Sequence, residues 1–322
     1  MITPKFSVVI PVYNRPQEIQ ELLESLAQQT TRNFEVIVVE DGSQASSEEV
    51  VRRFQGQMPI QYIYKANSGP GPSRNAGFEI AKGDYLVIFD SDCVLPPTYF
   101  EAVECGLRQG SLDAWGGPDR AHEKFTVIQR AMGYTMSSVL TTGGIRGGNR
   151  RIGWFQPRSF NMGFSRKVYE ATGGFRFDRF AEDIELSIRM KDLGFRVGLI
   201  ADAFVYHKRR TGFGQFFRQV FNFGKERALI GKQYPSEVKI THWLPTIFTL
   251  ATLAMLTLSL VDLLAFIAAL SAFALYLLII FLHSLISTGN FMVALLSVPS
   301  ALLQFFGYGA GFFFERLKPR RG

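Results

Sequence analysis

The chain has 322 residues, of which 47% are hydrophobic and 20% are charged. This is enough for one large domain with an appended unit, and it excludes an intrinsically disordered chain. Its two cysteines, Cys93 and Cys105, exclude a disulfide framework and favour a reducing compartment. The net charge of +7 is compatible with binding either to nucleic acid or to an anionic membrane. The distribution of the charge along the chain distinguishes between these two partners.

Strand and helix patterns alternate over the first 110 residues. Short apolar runs rich in β-branched residues predict strands at Phe6–Val12, Phe34–Val39, Ile60–Tyr64 and Tyr85–Phe89. Helical patterns between and after them begin near prolines: from Pro16, over Pro72–Ala81 and over Pro97–Gln109. Continuous apolar strands separated by helices indicate an α/β fold with a mostly parallel sheet covered on both faces. In such sheets, ligands bind beyond the carboxyl ends of the strands.

Polar or acidic residues follow three of these predicted strands. Asn14 follows the first, Asp41 follows the second, and Asp90 and Asp92 follow the fourth. Two carboxylates two residues apart, just past a buried strand, can bind one Mg²⁺ or Mn²⁺, and such an ion commonly bridges substrate phosphates. A solvated loop or a helix cap is the alternative for each turn taken alone.

A second acidic pair, Glu182 and Asp183, opens a later helical pattern. A carboxylate here can act as a general base that takes the proton from an attacking hydroxyl. Alternatively, it can cap the helix and interact with its dipole.

Five linked motifs resemble glycosyltransferase family 2 in their order and spacing. They are Ile10–Asn14 (IPVYN), Val39–Ser43 (VEDGS), Asn67–Gly77 (NSGPGPSRNAG), Gly83–Asp92 (GDYLVIFDSD), and Gly173–Phe175 followed by Ala181–Asp183. The resemblance covers about residues 5–230. It implies a GT-A fold and the transfer of a sugar from a nucleotide-sugar donor.

The resemblance also implies which residues bind the donor nucleotide. Pro11, Tyr13, Asn14 and Asp41 would hold the nucleoside, with Asp41 accepting a hydrogen bond from the base. Arg74 would lie near the nucleotide.

The same resemblance implies a metal site and a catalytic pair. Asp90 would contact the ribose or the metal, Asp92 would bind Mg²⁺ or Mn²⁺, and His207 would complete the metal shell, although a purely structural role for His207 stays open. Asp183 would be the catalytic base, with Glu182 orienting either Asp183 or the acceptor.

Two further regions concern the acceptor. The glycine-rich, basic segment 143–153 suggests that Arg146, Arg150 and Arg151 bind phosphate on a lipid-linked acceptor or donor, with a solvated loop as the alternative. By resemblance alone, the segments Trp115–Pro118 and Asn161–Gly163 are expected to line the acceptor side.

The C-terminal part is strongly apolar. Between Trp243 and Phe314 its acidic or basic residues are Asp262 and His283, and three apolar runs occupy 244–261, 263–282 and 291–314. Runs near 20 residues fit the width of a bilayer. A buried soluble bundle is the alternative, but it needs polar helix faces that these runs lack.

Basic residues flank this apolar block on both sides. Residues 205–232 contain seven Lys or Arg and one acidic residue, and the tail 315–322 contains four Lys or Arg and one acidic residue. Because the charge borders a bilayer-length block, a membrane is favoured and no nucleic-acid partner is expected. Three full spans would place the basic tail outside, so a re-entrant or interfacial run is also open.

We therefore expect a GT-A domain over residues 1–232 and a membrane region over 233–322 with two or three apolar helices and a basic tail. Residues 216–232 are expected to form an amphipathic helix on the membrane surface, or a basic helix packed on the catalytic domain.

The predicted function is an inverting, metal-dependent glycosyltransferase that uses a nucleotide-sugar, by expectation a UDP-sugar. Its acceptor would be a lipid-linked or saccharide hydroxyl in envelope or polysaccharide assembly. Because no signal-peptide pattern precedes the first strand, we expect the catalytic domain on the cytoplasmic side of the inner membrane. The alternatives are a polyprenyl-phosphate glycosyltransferase and a non-catalytic nucleotide-sugar-binding subunit. The oligomeric state is left open.

Overall fold

The computed structural model describes residues 4–142 and 154–319. Within these ranges, residues 4–120 and 154–207 form one compact unit, and residues 121–142 and 208–319 form a second. This division differs from the boundary expected at residue 232, because the basic helix before that boundary belongs to the second unit. The expected domains therefore stay a prediction. The segment 143–153, with its three arginines, lies outside the described residues.

The secondary structure follows the chain as alternating elements. The strands are β1 (Phe6–Val12), β2 (Phe34–Asp41), β3 (Ile60–Lys65), β4 (Tyr85–Phe89), β5 (Cys93–Val94), β6 (Ala114–Gly116), β7 (Asp119–Arg120), β8 (Asn161–Ser165), β9 (Val197–Leu199) and β10 (Val205–His207). The helices are α1 (Pro16–Ala27), α2 (Glu48–Arg52), α3 (Pro70–Ile80), α4 (Tyr99–Gly110), α5 (Val127–Ser137), α6 (Val139–Thr142), α7 (Arg166–Thr172), α8 (Glu182–Asp192), α9 (Phe213–Gln233), α10 (Leu244–Leu258), α11 (Leu263–Thr288) and α12 (Phe291–Leu317).

The first unit is built on a seven-stranded sheet in the order β3-β2-β1-β4-β8-β6-β9. The pairs β3–β2, β2–β1, β1–β4 and β6–β9 are parallel, and β8 runs antiparallel to both its neighbours. The predicted α/β fold with a mostly parallel sheet is thus confirmed.

Buried side chains on both faces of this sheet explain its continuous apolar strands. In β1, Val8 and Ile10 contribute to one core cluster with α1 and α4, whereas Val9 contributes to another with α3 and α8. Alternate residues of one strand therefore reach opposite cores, as expected for a sheet covered on both sides. The sheet is therefore buried on both faces, and the loops at its carboxyl edge carry the polar residues.

Three apolar helices end the chain. The helices α11 and α12, of 26 and 27 residues, are long and apolar enough to cross a membrane, whereas α10 has 15 residues. In the most apolar 18-residue stretch of each helix, 6% of α11 is buried against the protein, compared with 44% of α12. The exposed apolar surface of α11 is the feature that distinguishes it from the core helix of a soluble protein.

The basic helix α9 packs closely against α12 within the second unit. A Cβ atom at Gly224 would lie 2.1 Å from the carbonyl oxygen of Tyr308, and one at Gly311 would lie 2.0 Å from that of Phe221. Glycine at these positions therefore lets the two backbones touch, as at small-residue helix contacts in membrane proteins. The sequence predicts that residues 216–232 lie on the membrane surface or pack on the catalytic domain, and neither alternative includes packing against α12.

Candidate active site

The carboxyl ends of β1, β2 and β4 meet at one edge, because these strands are parallel neighbours. At this edge Pro11 lies within β1 opposite Val39 of β2, and the side chain of Tyr13, just past the strand, is exposed. Asn14 adopts a left-handed backbone conformation with φ of 55°. Its Oδ1 accepts hydrogen bonds from the backbone N–H groups of residues 44 and 45, at 2.8 and 3.1 Å. Asn14 thus ties the loop after β1 to the loop after β2.

Asp41, the last residue of β2, is buried and held by several donors. Its Oδ1 accepts from Lys65 Nζ at 2.7 Å and from the N–H of Ser68 at 2.9 Å, and its Oδ2 accepts from the N–H of Gly69 at 2.8 Å. Burial alone raises the pKa of Asp41, but the bonds from Lys65, Ser68 and Gly69 outweigh burial and lower it. A fixed, ionised carboxylate therefore lies where a donor nucleoside is expected.

Arg74 joins the loop after β4 to the start of α8. Its guanidinium is 2% exposed and donates to Asp90 Oδ1 at 2.9 Å and to Glu182 Oε1 at 2.8 Å. It also lies over the ring of Phe175, 5.2 Å from the centroid. Burial lowers the pKa of Arg74, but the negative charges of Glu182, Asp90 and Asp183 outweigh burial and raise it, so the guanidinium stays charged. Residues 90 and 182, far apart along the chain, thus share one buried cation.

The structure also brings Asp92 and His207 together. Asp92 Oδ1 lies 3.1 Å from His207 Nε2, and Asp92 Oδ2 accepts from Arg15 Nη1 at 2.6 Å. His207 lies in a separate three-stranded sheet of order β5-β10-β7, where it pairs with Cys93 across β10 and β5. Its ring stacks on Phe160 with 4.9 Å between the ring centroids. Among the described residues, Asp92, Cys93 and His207 each offer an atom within 4.8 Å of the others, as a group that could hold a metal ion.

The donor chemistry of this group fits Mn²⁺. A carboxylate suits either Mg²⁺ or Mn²⁺, and an imidazole nitrogen is a better ligand for a transition-metal ion than for Mg²⁺, which prefers oxygen ligands. The thiol of Cys93 is fully buried and donates to the carbonyl of Phe160 at 3.4 Å, so it is the weakest candidate of the three. Asp90, whose carboxylate is bound by Arg74, does not belong to this group.

Asp183 is the second residue of α8 and does not act as a side-chain cap. The cap position is Ala181, with φ of 57°, and no side-chain hydrogen bond caps the helix. Instead, Asp183 Oδ2 accepts from the N–H of Ser159 at 3.3 Å, and its Oδ1 lies 3.6 Å from Arg158 Nη1. The capping alternative therefore has no hydrogen bond to support it, although the carboxylate remains near the helix dipole.

Arg15, Lys65 and Arg158 contact the candidate residues and were not among those predicted. Lys65 could have been found, because it ends β3, the next strand at the same edge. Arg15 directly follows the first motif, but nothing in the sequence pairs it with Asp92. Arg158 precedes Asp183 by 25 residues, and only the folded chain brings them together.

Comparison with known proteins identifies the family and supports the fold. The profile described as "Glycosyl transferase family 2" matches residues 7–173, which is more than half of the chain. The chain belongs to glycosyltransferase family 2. The predicted GT-A fold is also supported by solved structures. A mannosyltransferase from Pyrobaculum calidifontis, solved with GDP-Man and Mn²⁺, has a TM-score of 0.63 at 18% identity, covering 95% of this chain and 88% of that one.

Other matches are more partial or more distant. TarS 1-349 from S. aureus, solved with UDP-GlcNAc, has a TM-score of 0.52 at 19% identity, covering 93% of this chain and 90% of that one. The uncharacterized glycosyltransferase YibD of Escherichia coli is 34% identical over 112 residues, covering 34% of this chain and 33% of that protein. An uncharacterized glycosyltransferase of Haemophilus influenzae is 45% identical over 92 residues, covering 28% and 30%. The chain thus spans about a third of the length of these two relatives.

Proposed function

We propose that this family 2 member is an inverting, metal-dependent glycosyltransferase that moves a sugar from a UDP-sugar to a hydroxyl of a lipid-linked or saccharide acceptor. The observation that carries the proposal is the buried guanidinium of Arg74, which binds Asp90 at 2.9 Å and Glu182 at 2.8 Å. Through it, the metal-side loop and the helix that carries Asp183 meet at one edge of the sheet. The solved relatives were determined with GDP-Man and Mn²⁺ in one case and with UDP-GlcNAc in another.

The proposed mechanism assigns one task to each group of residues. Asp41 holds the nucleoside, and Asp92 with His207 would hold the divalent cation. That cation would supply charge neutralisation for the departing diphosphate. Asp183 takes the proton of the acceptor hydroxyl while its oxygen forms the new bond to the anomeric carbon, and the bond from that carbon to the diphosphate breaks. The attack from the opposite side inverts the anomeric centre.

The proposed setting is the inner membrane, with the catalytic domain in the cytoplasm and a role in envelope or polysaccharide assembly. The two helices long enough to span a bilayer, and the exposed apolar surface of α11, support an attachment to lipid. Such an attachment keeps an active site close to a lipid-linked acceptor. The UDP preference is part of the proposal, and a GDP-sugar is the donor to be compared with it.

A donor screen with the purified full-length protein tests this function. Release of nucleoside diphosphate is measured with UDP- and GDP-sugars, Mn²⁺ and a bacterial lipid extract as the source of acceptor. We expect Asp183→Asn to lower turnover by about 10²–10⁴-fold while leaving nucleotide binding intact. The matched control is Asp192→Asn, at the exposed far end of the same helix, which should retain full turnover.

Metal dependence is tested in the same assay. EDTA and Asp92→Ala should each abolish release, and activity retained in both would refute the metal role. Wild-type protein that binds nucleotide but turns over no donor would instead favour the non-catalytic subunit.

A polyprenyl-phosphate glycosyltransferase is the second candidate, and Arg158 is the observation that favours it. Its guanidinium lies 3.6 Å from Asp183 Oδ1. A cation at this place suits an acceptor whose attacking oxygen belongs to a phosphate group. Transfer to bare polyprenyl phosphate, lost in Arg158→Gln, would support this candidate. Transfer that requires a sugar on the lipid would exclude it.

A further inference from the structure

Arg15 holds the carboxylate to which the proposed function assigns the metal. Its Nη1 donates to Asp92 Oδ2 at 2.6 Å, while Asp92 Oδ1 faces His207 Nε2 at 3.1 Å. A guanidinium is thus paired with the same carboxylate that a divalent cation needs. The two cations repel each other, so binding of the metal to Asp92 weakens the ion pair with Arg15.

Arg15 is more exposed than Arg74, the buried arginine at this edge. The side chain of Arg15 is 30% exposed, compared with 2% for Arg74. An exposed guanidinium can exchange one partner for another at a small cost in desolvation, whereas a fully buried one cannot. The exposure of Arg15 therefore allows its guanidinium to leave one partner and bind another.

The backbone at Arg15 is fixed on both sides, so the exchange involves the side chain alone. Before it, the N–H of Asn14 donates to Ser43 Oγ at 2.7 Å. After it, the carbonyl of Arg15 accepts from the N–H of Ile19 at 3.1 Å in the first turn of α1. The charges of Glu18 and Asp90 also attract the guanidinium, which keeps it near the site after Asp92 is taken.

We propose that Arg15 exchanges partners during donor binding: it holds Asp92 before the divalent cation binds, and it binds the diphosphate of the nucleotide-sugar once that cation has taken Asp92. This inference rests on the proposed function and adds a donor-binding residue to it. The planar guanidinium suits the new role, because its N–H groups match two phosphate oxygens at once. Arg15 thereby couples the binding of metal to the binding of donor.

Titrations of the full-length protein with Mn²⁺ alone, and with UDP or GDP at saturating Mn²⁺, test the exchange. In Arg15→Gln we expect affinity for Mn²⁺ alone to rise about fivefold or more, because a competing cation is removed. Affinity for the nucleoside diphosphate should fall about tenfold, because a phosphate ligand is lost. Arg15→Lys, which keeps the charge but not the fork, should give intermediate values for both.

The matched control is Arg52→Gln, which removes an exposed arginine paired with Glu48 and Glu49 on α2 and should change neither affinity. Unchanged or weaker Mn²⁺ binding in folded Arg15→Gln would overturn the inference, as would unchanged nucleotide binding. If wild type and all variants bind neither Mn²⁺ nor nucleotide, the proposed function itself fails, and the inference falls with it. The wild-type titration therefore distinguishes the two failures.

Discussion

Replacing Arg74 by methionine removes the buried cation but keeps most of its volume. The change leaves Glu182, which is 8% exposed, without its partner, and it leaves Asp90 with a side chain that is 35% exposed. Removing one member of a buried ion pair costs about 3–5 kcal/mol. Because water can reach Asp90, we expect the low end, about 3 kcal/mol. For a unit of this size that lowers the unfolding temperature by roughly 6–12 °C.

The pH dependence of this loss identifies its cause. Burial raises the pKa of Glu182 above its ordinary value of 4.5, Arg74 opposes the rise, and Asp183 adds to it. Without Arg74 the pKa of Glu182 rises further. A carboxyl with a raised pKa in the folded state favours folding at low pH, and this contribution is lost as the pH rises through the folded pKa. The deficit of Arg74→Met should therefore be large at pH 8 and smaller at pH 5.

The assay is thermal unfolding followed by tryptophan fluorescence for wild type, Arg74→Met, Glu182→Gln and the double variant. If an uncompensated charge causes the loss, Glu182→Gln should recover part of it in the Arg74→Met background. An equal loss at pH 5 and pH 8, with no recovery in the double variant, would refute the electrostatic reasoning and leave packing against Phe175 as the cause.

Three further predictions concern other parts of the chain. Asp41→Asn should weaken nucleotide binding about tenfold or more in calorimetric titration. Because the pKa of Asp41 is lowered, its contribution to stability is present above its ordinary pKa of 3.8 and lost as the pH falls through the lower folded value, so the difference in stability between variant and wild type should shrink as the pH falls below 3.8. His207→Ala should raise the Mn²⁺ concentration for half-maximal nucleotide release about tenfold, whereas an unchanged value would show that His207 is structural. Gly224→Ala, whose Cβ would meet Tyr308, should destabilise the α9–α12 contact by about 1–3 kcal/mol and speed limited proteolysis, whereas Gly214→Ala, with open space around it, should not.

The fold and one half of the site could be predicted because strand polarity carries that information. Apolar runs locate β1, β2 and β4, and the acidic residues that follow them must lie at one edge if the strands are parallel. The position of these acidic residues at one edge could therefore be predicted without further knowledge of the fold. They are Asp41, Asp90 and Asp92. The helix start at Pro70 rather than Pro72 is a local difference, because Gly69 with φ of 103° lets the chain turn into α3 two residues earlier.

The other half depends on contacts between distant segments, which no local pattern encodes. Arg74 and Glu182 are 108 residues apart, and Arg15 and Asp92 are 77 apart. The antiparallel strand β8 between β4 and β6 was likewise not predicted. The expectation that the segments Trp115–Pro118 and Asn161–Gly163 line the acceptor side stays a prediction. Within them, the side chains of Trp115 and Asn161 are fully buried, with Trp115 packed over Gly163 and Asn161 bound to core groups.

Differences in burial separate the arginines of this edge into two kinds. Arg74 is 2% exposed and binds two carboxylates at hydrogen-bond distance, and loss of its bond to the buried Glu182 would leave a carboxylate unpaired in the interior. Arg15 and Arg158 are 30% and 18% exposed, and each reaches one carboxylate, Asp92 or Asp183. These are the carboxylates to which the proposed function assigns the metal and the acceptor proton. The fully buried arginine thus joins two segments of the chain, whereas the two arginines beside the proposed reacting carboxylates are those that water already reaches.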